Sequence, residues 1–274
     1  MKKWMYNALI ILFSCVLVVS SIFAIRYFIN SNQQKNRYEQ LATIYGEPTY
    51  DRPVISDEPD TTLPTTDPNA LVQVTDPKTG ETVSLLPAFA ELYTTNPDIV
   101  GWLSIPGTEI SYPVMHTPDR ENFYLTHDFD GQESAHGCLY ARDVCNVFTP
   151  SDNITIYGHR MKDGSMFARL DKYMDKSFYE ENPYIFFDTL TELHTYQIIS
   201  VFLTTASVGE GFSYHTFVDA GNEAEYNSFV DTCKDLSLYD TGVDAQYGDK
   251  LITLSTCEYS QTNGRLVVVA KRIG

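Results

Sequence analysis

The chain has 274 residues, 43% of them apolar and 13% aromatic, which is enough to build one large core or two small ones and too apolar for a disordered protein. A formal net charge of −17 makes the surface acidic and argues against nucleic acid or anionic lipid as a main partner, because both are polyanions. The cysteine count, 5, is odd, so at least one thiol stands outside any intramolecular disulfide.

In chain order, the first feature is WMYNALIILFSCVLVVSSIFAI, a charge-free run from Trp4 to Ile25. As a helix it would span roughly 33 Å at about 1.5 Å per residue, enough to cross a bilayer. A cleavable signal peptide has a shorter apolar region ending in small residues, whereas Ile22 and Phe23 precede Ala24 here, so an uncleaved anchor is expected. Lys2 and Lys3 on one side nearly balance Arg26, Lys35 and Arg37 on the other, and charge alone leaves the orientation open. Polar helix formers then predict a juxtamembrane helix to about Tyr45. The stretch EPTYDRPVISDEPDTTLPTTDPNA, rich in proline, acid and threonine, cannot bury enough surface to fold and reads as a tether. The expected organisation is a tail over 1–3, a span over 4–25, helix and tether over 26–70, and a folded domain over 71–274.

The folded part begins with a short helix in LPAFAELYTTNPDIVGWL, stopped at Asn96-Pro97 because a residue before proline avoids helical dihedrals. Short β-branched and aromatic runs follow between turn residues: GWLSIPGTEISYPVM, HGCLYARD, NITIYGHRM, YIFFDTL, HTYQIISVFLTT, KLITLSTC and RLVVVAKR. Their number and spacing predict a mainly β fold, a barrel or sandwich, with peripheral helices near GSMFARLDKYMD and NEAEYNSFVDTCKDLSL. In the second helix Tyr226, Phe229, Val230 and Cys233 form one apolar stripe, which makes Cys233 a core residue.

The chemistry collects at strand ends. Period-two alternation in LITLSTC places Leu251, Thr253, Ser255 and Cys257 on one face. If this run pairs antiparallel with RLVVVAK through the loop EYSQTNG, Cys257 and Arg265 meet at one edge of the sheet, within reach of a single ligand. In NITIYGHRM, Thr155, Tyr157 and His159 share a face, and Gly158 loosens the strand just before the histidine. A free cysteine has a pKa of about 8.5 and nearby cations lower it; His159 and Arg265 are the cations on offer. Taken singly, each residue has a bland explanation: a core thiol, a satisfied histidine, a solvated arginine. Their joint appearance at predicted strand edges favours a site.

These residues carry a resemblance. TLSTC, followed after a short loop by an arginine and LVVVA, with IYGH about a hundred residues upstream, resembles the class B sortases, cysteine transpeptidases of Gram-positive surfaces. NPDIVGWLSIPGTEISYPVM and FYLTHDFDG are similar to the family's early barrel, and the helix at AEYNSFVDTCKDL is like the extra helix of class B. The resemblance implies a closed sortase-type β-barrel over 71–274 behind a single-pass membrane anchor, with the N-terminus cytoplasmic and the catalytic domain extracellular. It implies Cys257 as nucleophile, His159 as general acid/base and Arg265 as the cation that positions substrate and steadies the oxyanion, with Tyr157 and Ser255 as substrate contacts. It implies as partners the sorting-signal peptides of secreted surface proteins, cleaved after threonine, and an amine of a peptidoglycan precursor or, alternatively, a pilin lysine. No cofactor, metal or nucleic acid is called for.

Other readings fit the residues less well. A papain-like wall hydrolase carries its cysteine at a helix N-terminus ahead of the histidine, whereas the order here is His159, Cys257, Arg265. A tethered adhesion domain would bury Cys257 unreactive. Cys138 and Cys145 with His136 suggest a metal site, but the ligand count is incomplete, and two reduced cysteines beside one strand are expected rather than zinc or a disulfide. His116, His127, His194 and His215 have no motif context and are given no role.

Overall fold

The structure, a computed structural model, describes residues 3–46, 71–207 and 209–274. The expected tether, at 47–70, lies outside the described residues. The chain divides into two units, Met1–Gln40 and Leu41–Gly274. Helix α1 runs unbroken from Lys3 to Tyr45. Apolar side chains such as Ile11, Phe13 and Leu17 are exposed along it, and it is long and apolar enough to cross a membrane.

The second unit takes in the last turn of α1. Tyr45 stacks on Trp102 with ring centroids 4.5 Å apart, and its hydroxyl donates to Asp188. Both rings are almost fully buried, and burying side chains of this size contributes about 1.5–3 kcal/mol each. A hairpin follows, β1 (Val72–Thr75) and β2 (Thr82–Leu85), which the alternation did not predict because both strands are largely exposed. Helix α2 (Ala90–Thr95) ends at Asn96, whose φ of −146° and ψ of 104° are the extended geometry a following proline demands.

Eight strands close a barrel: β3 (Ile99–Ser104), β4 (Ser111–Met115), β5 (Leu139–Ala141), β6 (Asn153–Tyr157), β7 (Tyr184–Thr189), β8 (Thr195–Thr205), β9 (Leu251–Cys257) and β10 (Gly264–Arg272). Their order around it is β10-β8-β7-β3-β4-β5-β6-β9, with β4–β5 and β6–β9 parallel and the other hydrogen-bonded pairs antiparallel. FYLTHDFDG, between β4 and β5, forms a short 3-10 helix over Phe123–Leu125 and a loop. The helix near GSMFARLDKYMD is a 3-10 helix, Phe167–Met174, followed by α3 (Lys176–Glu181) capped by Asp175.

Between β8 and β9 lies α4 (Glu223–Asp235), whose Asn222 cap accepts from the Glu225 amide. Its buried stripe is the predicted Tyr226, Phe229, Val230 and Cys233, and it packs with Phe202, Val267 and Val269 of the barrel. The opposite faces of the strands carry Ile252, Leu254, Leu266, Val268, Ile154 and Ile156, all buried as well. A helix cannot lie inside a barrel of this size, so the α4 side is the outer face and the aliphatic side fills the interior. Ser255 and Cys257 alternate onto the outer face.

Candidate active site

Antiparallel register pairs Arg265 of β10 directly with Cys257 of β9, so their side chains leave the sheet on the same face. On the other side of β9 the parallel register pairs Tyr157 with Ser255. Past the end of β6 the Gly158 amide makes one more bond, to the Ser255 carbonyl at 3.2 Å, and the Gly158 carbonyl accepts from the Thr256 hydroxyl at 2.8 Å. His159 follows two residues beyond Tyr157, in the segment just past β6, at the same end of the sheet as Cys257. Across this end of the sheet the row reads His159, just past β6, then Cys257 of β9 and Arg265 of β10, with the thiol in the middle. All three side chains are partly exposed.

Each flank is fixed. The Phe167 amide donates to the His159 carbonyl at 2.9 Å, and the Phe167 ring packs so close to Gly158 that a Cβ there would lie 2.6 Å from it. The His159 Nε2 sits 2.7 Å from the Leu125 carbonyl oxygen. A carbonyl only accepts, so Nε2 carries the proton and Nδ1 is the nitrogen left for proton transfer. Arg265 Nη1 donates to the carbonyls of Asn263 at 3.2 Å and Gly264 at 2.9 Å, while Nε and Nη2 make no bond among the described residues. The amide after the cysteine, Glu258 N–H, donates to the Gly264 carbonyl at 2.9 Å. Nε and Nη2 of the guanidinium are thus donors left uncommitted beside the thiol among the described residues.

A second row of side chains lines the face: Tyr140 of β5 pairs with Tyr157, and Tyr157 with Ser255. The Tyr140 and Tyr157 rings are 5.4 Å apart. Tyr214, from the segment between β8 and α4, covers Ser255, with 2.6 Å between the two hydroxyls. Burial pushes the phenols of Tyr140, Tyr157 and Tyr214 above the ordinary tyrosine range, so they remain neutral near pH 7. Of the residues read from sequence, Cys257, His159 and Arg265 come together in the row, Tyr157 lies half-buried beside it, and Ser255 is buried under Tyr214.

Sequence reasoning missed two contributors. Tyr214 stands in a segment without periodicity, and the Leu125 carbonyl is a backbone group with no signature in residue identity. That carbonyl is placed by Gly137, which has φ +57° and where a Cβ would lie 2.5 Å from the Tyr124 oxygen and 2.7 Å from the Leu125 oxygen. Gly137→Ala should therefore destabilise the fold by about 2–3 kcal/mol, read as a lower denaturant midpoint with unchanged slope. A midpoint equal to wild type would show that the loop yields freely.

Cys138 and Cys145 are both buried, and the Cys145 thiol donates to the Asn153 carbonyl at 3.6 Å. His136 turns to Asp163 instead of either thiol. Among the described residues no group of three or more His, Cys, Asp or Glu side chains is placed to hold a metal ion.

The arrangement suits acyl transfer: a nucleophile between a proton carrier and a cationic fork, on an outer face open to a peptide. Comparisons agree. The family model for the sortase domain matches residues 103–273. The chain is 34% identical over 189 residues to sortase B of Staphylococcus aureus, covering 68% of this chain and 75% of that protein. It is 33% identical over 186 residues to sortase B of Listeria monocytogenes, covering 67% and 73%. The structure of a Staphylococcus aureus sortase B–substrate complex superposes with a TM-score of 0.70 at 28% identity, over 89% of this chain and 98% of that one. Sortase B of Clostridium perfringens superposes with a TM-score of 0.59 at 30% identity, over 67% and 98%.

Proposed function

The chain belongs to the class B sortases, cysteine transpeptidases, and from that premise we propose that it cleaves the sorting signal of secreted surface proteins after a threonine and joins the threonine to an amine of a peptidoglycan precursor. The observation that carries the reading is the pairing of Arg265 with Cys257, and His159 just past the end of the strand that pairs with β9 on its other side. The Cys257 thiol passes its proton to His159 Nδ1 as its sulfur attacks the threonine carbonyl carbon. His159 gives a proton to the departing amine nitrogen as the C–N bond breaks, and a thioester remains. The acceptor amine then attacks the thioester carbonyl, its proton passes to His159, and the thiol is regained. Arg265 donates to the carbonyl oxygen in both tetrahedral steps, where charged donors make the stronger bonds.

Tyr157 and Ser255 are proposed to border the peptide groove. Tyr157 offers a half-buried ring, and Ser255 acts through the Tyr214 hydroxyl that covers it. The apolar part of α1 is proposed as an uncleaved membrane anchor with the N-terminus cytoplasmic, residues 47–70 as the tether, and residues 71–274 as the extracellular catalytic domain.

The reading is tested by incubating the full-length chain in detergent micelles with a panel of sorting-type pentapeptides, with and without an amine acceptor, and following the protein by mass spectrometry. Cys257 should gain the mass of a peptide truncated after threonine, and the amine should release it as a ligated product. Release by water at the same rate with and without amine would make the protein a hydrolase.

A further inference from the structure

A second histidine lies buried behind the first. His136, 3% exposed, precedes β5, and its Nε2 lies 3.0 Å from Oδ2 of Asp163. Asp163 belongs to the loop that leaves β6 immediately after His159. The other oxygen of that carboxylate, Oδ1, accepts from the Ser165 amide at 3.0 Å and the Ser165 hydroxyl at 2.6 Å. At its base the same loop is closed by the Arg160–Met166 bridge and by the bond from the Phe167 amide to the His159 carbonyl. Base and far end are both tied, and His159 stands at the base.

His136 is also tied to the carbonyl that orients His159. It adjoins Gly137, which touches the Leu125 carbonyl, and the next amide, Cys138 N–H, donates to the Tyr124 carbonyl at 2.9 Å. Two segments thus meet through two bonds: His159 to Leu125, and His136 to Asp163. Sliding or tilting one segment against the other would lengthen both.

The His136 Nδ1 is buried and has no hydrogen-bond partner among the described residues. Burying a polar ring with one nitrogen unsatisfied is a poor way to stabilise a fold, since an apolar ring of similar size would carry no such cost. The Asp163 side chain is 32% exposed and can be solvated without its partner. The pair is better suited to placement than to stability.

We propose that His136 and Asp163 are positioning residues that hold the His159 loop in register with the Leu125 carbonyl and so keep the His159 Nδ1 aimed at the Cys257 site. Neither touches the reacting atoms. The inference rests on His159 as the proton carrier.

The test uses the full-length chain in detergent with a cleaved peptide and an amine acceptor. His136→Phe should lower kcat by about tenfold or more, because small displacements of a catalytic group are costly, while KM for the peptide stays within about twofold. The pH dependence of kcat/KM should shift on the limb reporting His159, and the melting temperature should stay within about 4 °C of wild type. His136→Gln, whose amide can donate from nearly the place of Nε2, should recover most of the rate. Asp163→Ala at the surface should reproduce the loss, and the double variant should add nothing to it. Wild-type kcat and pH profile in His136→Phe or Asp163→Ala would overturn the proposal, as would equal losses in His136→Phe and His136→Gln. An active His159→Ala enzyme would instead remove the proton-transfer reading beneath it.

Discussion

Cys257→Ala is expected to lower peptide cleavage by at least about 10⁴-fold and to leave the protein folded. The sulfur sits at the end of β9, partly exposed, and makes no hydrogen bond among the described residues, so its loss creates no closed cavity. No other cysteine of the barrel domain can replace it. Cys138, Cys145 and Cys233 are buried, and burial pushes the thiols of Cys145 and Cys233 up, away from the reactive thiolate. Native-state alkylation should therefore label Cys257 ahead of those three, and the label should vanish in Cys257→Ala together with the acyl adduct. Cleavage at an appreciable fraction of the wild-type rate, with an adduct on another residue, would sink the nucleophile assignment.

Much of this site was legible in the sequence because it is built on strands. Period-two alternation separates Ser255 and Cys257 from Ile252 and Leu254, and antiparallel pairing across EYSQTNG brings Arg265 opposite Cys257, as the register has it. His159 is harder to place from sequence, since it follows a strand that pairs parallel with β9 and the two strands are separated by β7, β8 and α4. What escaped was held by backbone or by loops. The hairpin β1–β2 has polar, exposed strands and so no clean alternation. FYLTHDFDG carries no period that would tell a strand from a turn, and Asn122, in the left-handed region at φ 55°, leads it into a 3-10 helix. His136 drew attention only as a metal ligand because Cys138 was near in sequence; its actual partner, Asp163, is near only in the fold.

Arg265→Lys is expected to lower kcat/KM by about 10²–10³-fold, the usual cost of one lost oxyanion donor, although it keeps the charge. The reason is the division of labour within the guanidinium. Nη1 is spent on the Asn263 and Gly264 carbonyls, which lock the plane of the group, and Nε and Nη2 remain to face a substrate oxygen. A lysine ammonium has a single nitrogen: if it bonds the two carbonyls it is withdrawn from the site, and if it reaches for the substrate it has lost its anchor. The neighbouring Glu258 amide cannot compensate while it donates to the Gly264 carbonyl. Because the arginine is partly exposed, second in β10, the substitution should change stability by no more than about 0.5 kcal/mol. The loss should appear in single-turnover acylation, read by mass spectrometry of the thioester, since the oxygen first becomes negative in that step. Acylation within about threefold of wild type would mean that charge alone suffices at this position and that the oxyanion is held by another group.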